Sequence, residues 1–375
     1  MARLAVLLIY YLRCFIFIIR NQTPAHFNCV EASLSGSLLH GGGVRCWAKA
    51  ARNRQTSNQW FFKDSLAFCY WQMQKSVQNR QSKKQSIRNG FMSTKFHIDN
   101  GCVIIYPPTK LAEGMQFAKE RNIRNIRIKG NPHGVFDLDL SAFALFPEIE
   151  RVMIRDGFKI GSVKGTESFY DTQIYYLWLF ENFNTPLELH RFPHLTDLHI
   201  TETAKLKIRR LPETLLNIEI RKLSHDDLSI FRDTPKLNKL LLVSPKISSL
   251  NGLEGCADLE EMFLFLAPRL TDIRAINHLG SLKKLWFERC KNMTQSVLEQ
   301  ITSSSLKILH VRFPVEDLSF LKNFPNLEEF YFTDIKDGNL YPLLDSKIRS
   351  AGFSKKKHYT HRYDEMSKLL KEKQA

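Results

Sequence analysis

A short pattern of apolar residues recurs along most of the chain: apolar, two residues, apolar, one residue, apolar. Clear copies are Leu237-x-x-Leu240-x-Leu242, Leu282-x-x-Leu285-x-Phe287 and Leu306-x-x-Leu309-x-Val311. Copies begin 20 to 26 residues apart, at Ile123, Ile149, Ile174, Leu195, Leu215, Leu237, Leu259, Leu282, Leu306 and Leu327. The second and third apolar residues of each copy lie two apart, which places both on one side of a short strand. A near-constant step therefore predicts stacked units that share one buried core.

The segments between these strands have a different spacing. Leu270, Ile273, Ile276 and Leu279 recur every three residues, which suits a short helical or 3₁₀ turn with one buried side. Each unit is therefore predicted to contain one strand and one turn that returns the chain along the opposite side.

The step and the apolar pattern resemble those of a leucine-rich repeat protein, over roughly residues 122–335. The resemblance implies an α/β fold: a leucine-rich repeat solenoid with a curved parallel sheet on the concave face, short helices and turns on the convex face, and helical caps. The ninth position of the motif, eight residues after its first apolar residue, departs from the family, which often has Asn or Cys there; Asn131 and Cys290 fit, whereas most other units do not. Some irregularity of the solenoid is therefore expected.

Four regions follow from this pattern. Residues 1–91 are a basic N-terminal extension, expected to be disordered or not part of the working protein. Residues 92–121 form an N-terminal cap, in which a strand over residues 102–106 precedes a helix over residues 110–121 that Thr109 caps. The repeats occupy residues 122–335, and residues 336–375 form a C-terminal cap that ends in a basic helix from about Arg362.

The positive charge of the chain is unevenly distributed. The formal net charge is +16, but residues 1–91 contain 13 Lys or Arg and two acidic residues, Glu31 and Asp64, so they carry +11. This leaves +5 for the remaining residues. The repeats are thus only mildly basic, and the composition does not support a specific nucleic-acid partner.

The compartment depends on the first twenty residues and on the cysteines. The apolar run over residues 4–19 is short for a membrane span, and Arg13 interrupts it. Cys102, Cys256 and Cys290 are widely spaced and odd in number, which favours buried reduced thiols and a cytoplasmic protein. A membrane-anchored or secreted protein is the alternative, and it requires the N-terminal run to be a genuine targeting signal.

No arrangement of residues indicates catalysis, a cofactor or a metal site. The pair His358-x-x-His361 has no accompanying Cys, so it fits a polar cap surface better than a metal site. The sequence therefore predicts a protein that is not an enzyme.

The strand residues that point outward are the third, fifth and seventh of each motif. The fifth positions of the later units are Leu241, Phe263, Trp286, His310 and Tyr331, a run of mostly aromatic side chains that is expected to be exposed. Exposed apolar patches and aromatic or Arg side chains are typical of protein interfaces. The predicted partner-binding residues are Phe263, Trp286, His310, Arg312, Tyr331, Trp178, Arg127, Arg151 and Arg155.

Two alternatives stay open for these residues. A cap or loop could cover the aromatic run, or the register could be shifted by one residue. The basic residues of the first two units could simply form a solvated surface.

The function expected from the repeats is protein binding on the concave face. Resemblance to small, stand-alone bacterial leucine-rich repeat proteins implies an immunity-type protein that binds a cognate toxin. A regulatory adaptor subunit, or a membrane-anchored or secreted effector, is the alternative.

Overall fold

A computed structural model describes residues 96–131, 133–154, 158–179 and 183–373. The predictions for residues 1–91 and for Arg155 lie outside these residues. The described residues belong to one compact unit, Thr94–Ala375.

Ten of the described strands lie on the ten predicted copies of the motif. They are β1 (His97–Asp99), β2 (Cys102–Ile105), β3 (Asn125–Ile128), β4 (Val135–Asp139), β5 (Arg151–Ile154), β6 (Lys159–Lys164), β7 (Tyr176–Leu179), β8 (Asp197–Thr201), β9 (Asn217–Arg221), β10 (Lys239–Val243), β11 (Glu261–Phe265), β12 (Lys284–Glu288), β13 (Ile308–Val315), β14 (Glu329–Ile335) and β15 (Ser350–Gly352). Within the described ranges, a 13-stranded sheet has the order β1-β2-β3-β5-β7-β8-β9-β10-β11-β12-β13-β14-β15, and β4 and β6 form a separate pair.

The helices are short except at the two ends. They are α1 (Leu111–Glu120), α2 (Glu167–Tyr170), α3 (Gln295–Leu298), α4 (Pro342–Asp345) and α5 (Tyr363–Glu372). Single 3₁₀ turns connect many of the strands, at Pro108–Lys110, Leu140–Leu145, Leu189–Arg191, Ser229–Phe231, Arg274–His278 and Ser319–Asn323. The turn at Arg274–His278 lies where the three-residue apolar spacing predicts it, with Ile273 and Ile276 buried.

The core is formed by the apolar positions of the motif. Leu240, Leu285 and Leu309 are fully buried, so the predicted register is confirmed. Adjacent repeats pair in parallel and in step: Leu240 pairs with Met262, and Leu285 pairs with Leu309. Each buried residue therefore lies above its counterpart in the next unit, as a stacked repeat requires. The described residues thus form an α/β solenoid of stacked strand-and-turn repeats, the architecture that the resemblance to leucine-rich repeat proteins implies.

The N-terminal cap differs from its prediction in two details. Strand β1 was not expected; it pairs with β2 in the antiparallel direction and extends the sheet by one strand. The prediction that Thr109 caps the helix is wrong, because Thr109 lies within the 3₁₀ turn and the helix then begins at Leu111 without a side-chain cap. Leu111 and Met115 of α1 are buried and cover the end of the core.

The C-terminal cap contains the predicted final helix. It begins one residue after Arg362, and Met366 and Leu370 are its buried residues. The Phe353 ring stacks on Phe332 of β14, with 4.9 Å between their ring centroids. These aromatic and helical residues cover the other end of the solenoid.

Candidate functional site

The outward side of the sheet, here called the concave face, is ordered by the strand register. Every strand places its fifth motif position beside that of the next strand, so these residues form one column across the sheet. In order, the column contains Ile104, Arg127, Met153, Trp178, His199, Glu219, Leu241, Phe263, Trp286, His310, Tyr331 and Gly352. The residues at third and seventh positions line the two sides of this column.

Four rings near the C-terminal end of the column form the aromatic stack: Phe263, Trp286, His310 and Tyr331. The centroids of Trp286 and His310 are 4.0 Å apart and their planes differ by 7°. His310 and Tyr331 are 4.6 Å apart with planes at 15°. Phe263 lies 6.2 Å from Trp286 and is tilted by 45°. Trp286, His310 and Tyr331 therefore stack face to face along the sheet, at about the spacing of its strands, and the tilted Phe263 ring follows them.

This stacking makes the predicted exposure wrong for three of the four residues. Phe263 and Trp286 are 8% and 7% exposed, and His310 is fully buried. Tyr331 is half-buried. The register is as predicted, so a register shift is not the cause. Each ring covers the faces of its neighbours. Side chains at the flanking positions cover the ring edges; the Phe265 ring, for example, lies 5.7 Å from the Trp286 ring. The role of these residues in partner binding stays a prediction.

The rings of the stack are themselves uncharged. Burial, together with the positive charges of Arg312 and Lys284, lowers the pKa of His310 to about 2. His310 is therefore a neutral ring at physiological pH. Burial also raises the pKa of Tyr331, whose hydroxyl donates a hydrogen bond to Glu329 Oε2 at 2.9 Å.

The other half of the column is more polar. The Trp178 and His199 rings are stacked with 4.6 Å between centroids, and Trp178 is half-buried. Tyr176, on the third-position side of the same strand, lies 5.4 Å from His199. The guanidinium of Arg151 lies 4.4 Å from the Tyr176 ring centroid, which is a cation–π contact.

In this half, the carboxylate of Glu219 links His199 and Arg221. Glu219 Oε2 lies 3.0 Å from His199 Nδ1, and Glu219 Oε1 accepts hydrogen bonds from the guanidinium of Arg221 at 2.7 Å. Burial raises the pKa of Glu219, but the hydrogen bond to His199 and the charge of Arg221 outweigh it, so its pKa is lowered. Glu219 is therefore held ionised. The sequence showed these residues at outward positions but gave no signal that they form a network.

The predicted basic residues lie at two ends of the concave face. Arg127 and Arg151 are half-buried, and both are close enough to Cys102 to oppose the effect of burial, which raises the pKa of that thiol. Arg312 is exposed and lies on β13, seven strands further along the sheet than β5, towards the other end of the face. The structure thus brings Arg127 and Arg151 together and keeps Arg312 apart from them.

Sequence reasoning missed an apolar surface at the C-terminal ends of β10 and β11. Val243 and Phe265 are paired and half-buried, and Leu266 directly after β11 is 40% exposed. We call Val243, Phe265 and Leu266 the edge patch. Two of its members occupy predicted outward positions. The exposure of Leu266 could not be foreseen, because it lies beyond the strand, where the motif assigns no direction.

The remaining candidate chemistry is limited. No group of three or more His, Cys, Asp or Glu side chains in the described ranges could hold a metal ion. Cys102, Cys256 and Cys290 are free and buried, as predicted, and burial raises the pKa of each thiol. They are therefore protonated, unreactive thiols at neutral pH.

The two C-terminal histidines belong to the cap. His358 Nε2 lies 3.0 Å from the carbonyl oxygen of Ile335, and His361 Nδ1 lies 2.9 Å from Thr360 Oγ1. Both rings thus have polar partners within the cap.

In the described part of the chain, no helix is both long and apolar enough to pass through a bilayer. The apolar run over residues 4–19 lies outside that part.

Comparison with known proteins gives a structural similarity and no sequence match. No family model and no curated protein sequence matches the chain. A solved structure of a leucine-rich repeat protein from Leptospira interrogans is similar over 70% of this chain and 76% of that chain, with 15% identity and a TM-score of 0.44. The repeats and the strand register of the chain itself define it as a solenoid.

Proposed function

We propose that this protein binds another protein through its concave face and is not an enzyme. The observation that carries the proposal is the continuous column of outward side chains from β3 to β14, flanked by a further column on each side. Stacked repeats use extended faces of this kind as binding surfaces. The surface offers aromatic, basic and apolar groups in fixed positions, and aromatic and Arg side chains are frequent in protein interfaces.

The burial of the aromatic stack divides the predicted contacts into two groups. Trp178 and Tyr331 are half-buried and Arg312 is exposed, so these side chains can be touched directly. Phe263, Trp286 and His310 present little more than ring edges. In this proposal they act mainly by holding the face rigid, which lowers the conformational entropy lost on binding.

The finer proposal is a cytoplasmic bacterial immunity-type protein whose partner is a cognate toxin. Its support is the resemblance of the repeats to those of small bacterial leucine-rich repeat proteins. It is tested by co-expressing the chain with a toxin encoded beside it in the native genome. Rescue of growth that is lost when the concave face is mutated supports an immunity role, and growth arrest in spite of expression contradicts it.

Site-specific crosslinking in the native host tests the binding proposal. The photoreactive residue p-benzoylphenylalanine replaces Trp178 or Arg312 in the full chain, and a third variant carries it at Leu145, which is 68% exposed on a 3₁₀ turn. We expect one discrete protein adduct from positions 178 and 312 and none from position 145. Adducts from position 145 alone, or none from either concave position, contradict a concave binding face.

A further inference from the structure

The edge patch combines three features that point to a bound partner. It is apolar and exposed, its central residue has an unfavourable backbone conformation, and uncompensated positive charges surround it. Each is observed independently of the others.

The backbone conformation is set by the sheet. Lys222, Ser244, Leu266 and Arg289 follow β9, β10, β11 and β12 directly, and each has a positive φ, between 55° and 60°. In this conformation the backbone N–H of Leu266 donates to the carbonyl of Glu288 at 2.9 Å, and that of Ser244 donates to Phe265 at 2.8 Å. The turn therefore extends the ladder of the parallel sheet by one hydrogen bond.

Leucine is an unfavourable residue at such a position. Left-handed backbone favours Gly and, next, Asn or Asp, whereas a bulky side chain there is uncommon. Leu266 has this conformation and also exposes 40% of its surface to solvent. The turn itself belongs to the repeat, since Lys222, Ser244 and Arg289 have the same conformation at the equivalent positions, but it does not require an exposed leucine.

Leu266 extends an apolar surface rather than standing alone. Phe265 precedes it, pairs with Val243 on β10, and has its ring centroid 6.5 Å from that of Phe263. The patch thus adjoins the aromatic stack and provides a rigid platform for one large apolar side chain of a partner.

The charges around the patch are mostly positive. Lys246, Arg289 and Lys291 are exposed and make no ion pair with any residue in the described ranges. They lie in the turns after β10 and β12, which flank the turn that contains Leu266. Glu288 borders the patch as well, and Arg312 of the next strand is its paired neighbour. A negatively charged ligand segment would be complementary to this surface.

We infer that the edge patch binds an acidic polypeptide segment that carries one large apolar side chain, which packs on Leu266 and Phe265. This inference rests on the proposed function, because it names the chemistry of the partner and the edge of the face where the partner is anchored. Lys246, Arg289 and Lys291 contribute by attracting the acidic residues of that segment.

Two variants at equivalent positions separate binding from stability. Leu266→Asn removes the apolar side chain and better tolerates the left-handed backbone, so Tm is expected to rise by about 1–4 °C. Ser244→Asn is the matched control: it occupies the same turn position one repeat earlier and removes no apolar group. Both variants should be folded, so a loss of binding in Leu266→Asn cannot be attributed to unfolding.

The probe is a random peptide library displayed on phage and selected on the immobilised full chain. The consensus peptide is synthesised with a fluorophore, and its affinity is measured by anisotropy. We expect a consensus with several Asp or Glu around one large apolar residue. Leu266→Asn should weaken its binding by at least about tenfold, with Ser244→Asn within about twofold of the parent chain.

Charge is tested in the same assay. The double variant Lys246→Gln with Lys291→Gln should weaken peptide binding about fivefold and reduce its dependence on salt. Lys283→Gln is the control, because Lys283 is exposed but already paired with Glu260 at 2.5 Å, and its affinity should not change.

Four results would overturn the inference: no enriched peptide, a consensus without acidic residues, equal binding by Leu266→Asn, or tighter binding of a 20-nucleotide single-stranded DNA that depends on Lys246 and Lys291. The crosslinking variants keep the two proposals distinct. Adducts from positions 178 and 312 that persist at the same yield in Leu266→Asn retain the concave binding face and reject the edge patch. Absence of both adducts and peptides rejects both.

Discussion

The two halves of the concave face use the same motif position in different ways. From β10 to β14 the column is held by ring stacking, and three of the four rings of the aromatic stack are buried. From β3 to β9 it is held by a cation–π contact, one stacked pair and the carboxylate network of Glu219. The motif position decides the direction in which a side chain points, whereas its neighbours along the sheet decide whether it is exposed.

The physical reason is the regular spacing of parallel strands. A strand separation of about 4.8 Å is close to the distance at which aromatic rings pack face to face. When flat rings occupy the same motif position in successive repeats, each ring covers the face of the next, and little of their surface stays accessible to solvent. A run that alternates Arg, Met, Trp, His and Glu cannot do so, and its members keep polar atoms available. An outward aromatic run in a solenoid thus indicates rigidity as much as binding.

The sharpest test of this comparison is the removal of one Trp from each half. Trp286→Ala should lower the free energy of unfolding by about 3–5 kcal/mol, because the buried ring leaves a cavity between Phe263 and His310. Trp178→Ala should cost about 1–2 kcal/mol, since Trp178 is half-buried rather than buried and its ring stacks on His199. Urea unfolding of both variants measures the difference. Equal losses, or a negligible loss for Trp286→Ala, would contradict the distinction between the halves.

The second test uses pH, because each half contains a group with a lowered pKa. The group in the aromatic half is the base His310, and the group in the polar half is the acid Glu219. His310 has a folded pKa of about 2, against about 6.5 when unfolded, so the unfolded state binds the extra proton first as pH falls. Its contribution to stability is complete above about pH 6.5 and decreases below it, at up to about 1.4 kcal/mol per pH unit. His310→Phe keeps a flat ring and should remove this decrease.

Glu219 responds in a lower range. Its folded pKa is lowered, so its contribution is present above the unfolded pKa of about 4.3 and is lost as pH falls through the folded value. Urea unfolding between pH 7 and pH 4.5 therefore isolates His310. An unchanged slope in His310→Phe over that range would show that the His310 ring is accessible to protons, and the description of a buried stack would be wrong.

The architecture could be predicted from the sequence because each repeat contains the same pattern of apolar residues. The interior positions of Leu240, Leu285 and Leu309 followed from two-residue alternation, and the final helix followed from the spacing of Met366 and Leu370. The start of the N-terminal cap helix could not be predicted from the sequence. Pro108–Lys110 form a 3₁₀ turn directly before the α-helix, and one sequence alone does not distinguish a 3₁₀ turn from the first turn of an α-helix.

The candidate site was less predictable than the fold. The residues of the aromatic stack were identified, but their burial depends on contacts between repeats about 22 residues apart. The network of Glu219 with His199 and Arg221 depends on register in the same way. Leu266 is the extreme case, because its positive φ accompanies a backbone hydrogen bond to Glu288 of the next repeat, which the motif does not encode.

A smaller effect is expected from the carboxylate network of the polar half. Glu219→Gln keeps the size of the side chain but removes the charge that binds Arg221 and His199, and we expect a loss of about 1–2 kcal/mol at pH 7. Glu261→Gln is the control, since Glu261 forms a more exposed pair with Lys239 at 2.9 Å and should cost less than about 1 kcal/mol. If both substitutions cost the same, the network has no special role in holding the polar half.

The smallest effect concerns the cation–π contact of Arg151. Its guanidinium lies 4.4 Å from the Tyr176 ring on the neighbouring strand, and both side chains are half-buried, so the contact should contribute about 0.5–1 kcal/mol. A single Arg151→Ala substitution also removes packing by the aliphatic part of the side chain. A double-mutant cycle with Tyr176→Leu separates the two effects, because only the coupling energy reports the contact itself. A coupling near zero would mean that the polar half is held by Glu219 and the Trp178–His199 pair alone, leaving Arg151 available to a partner.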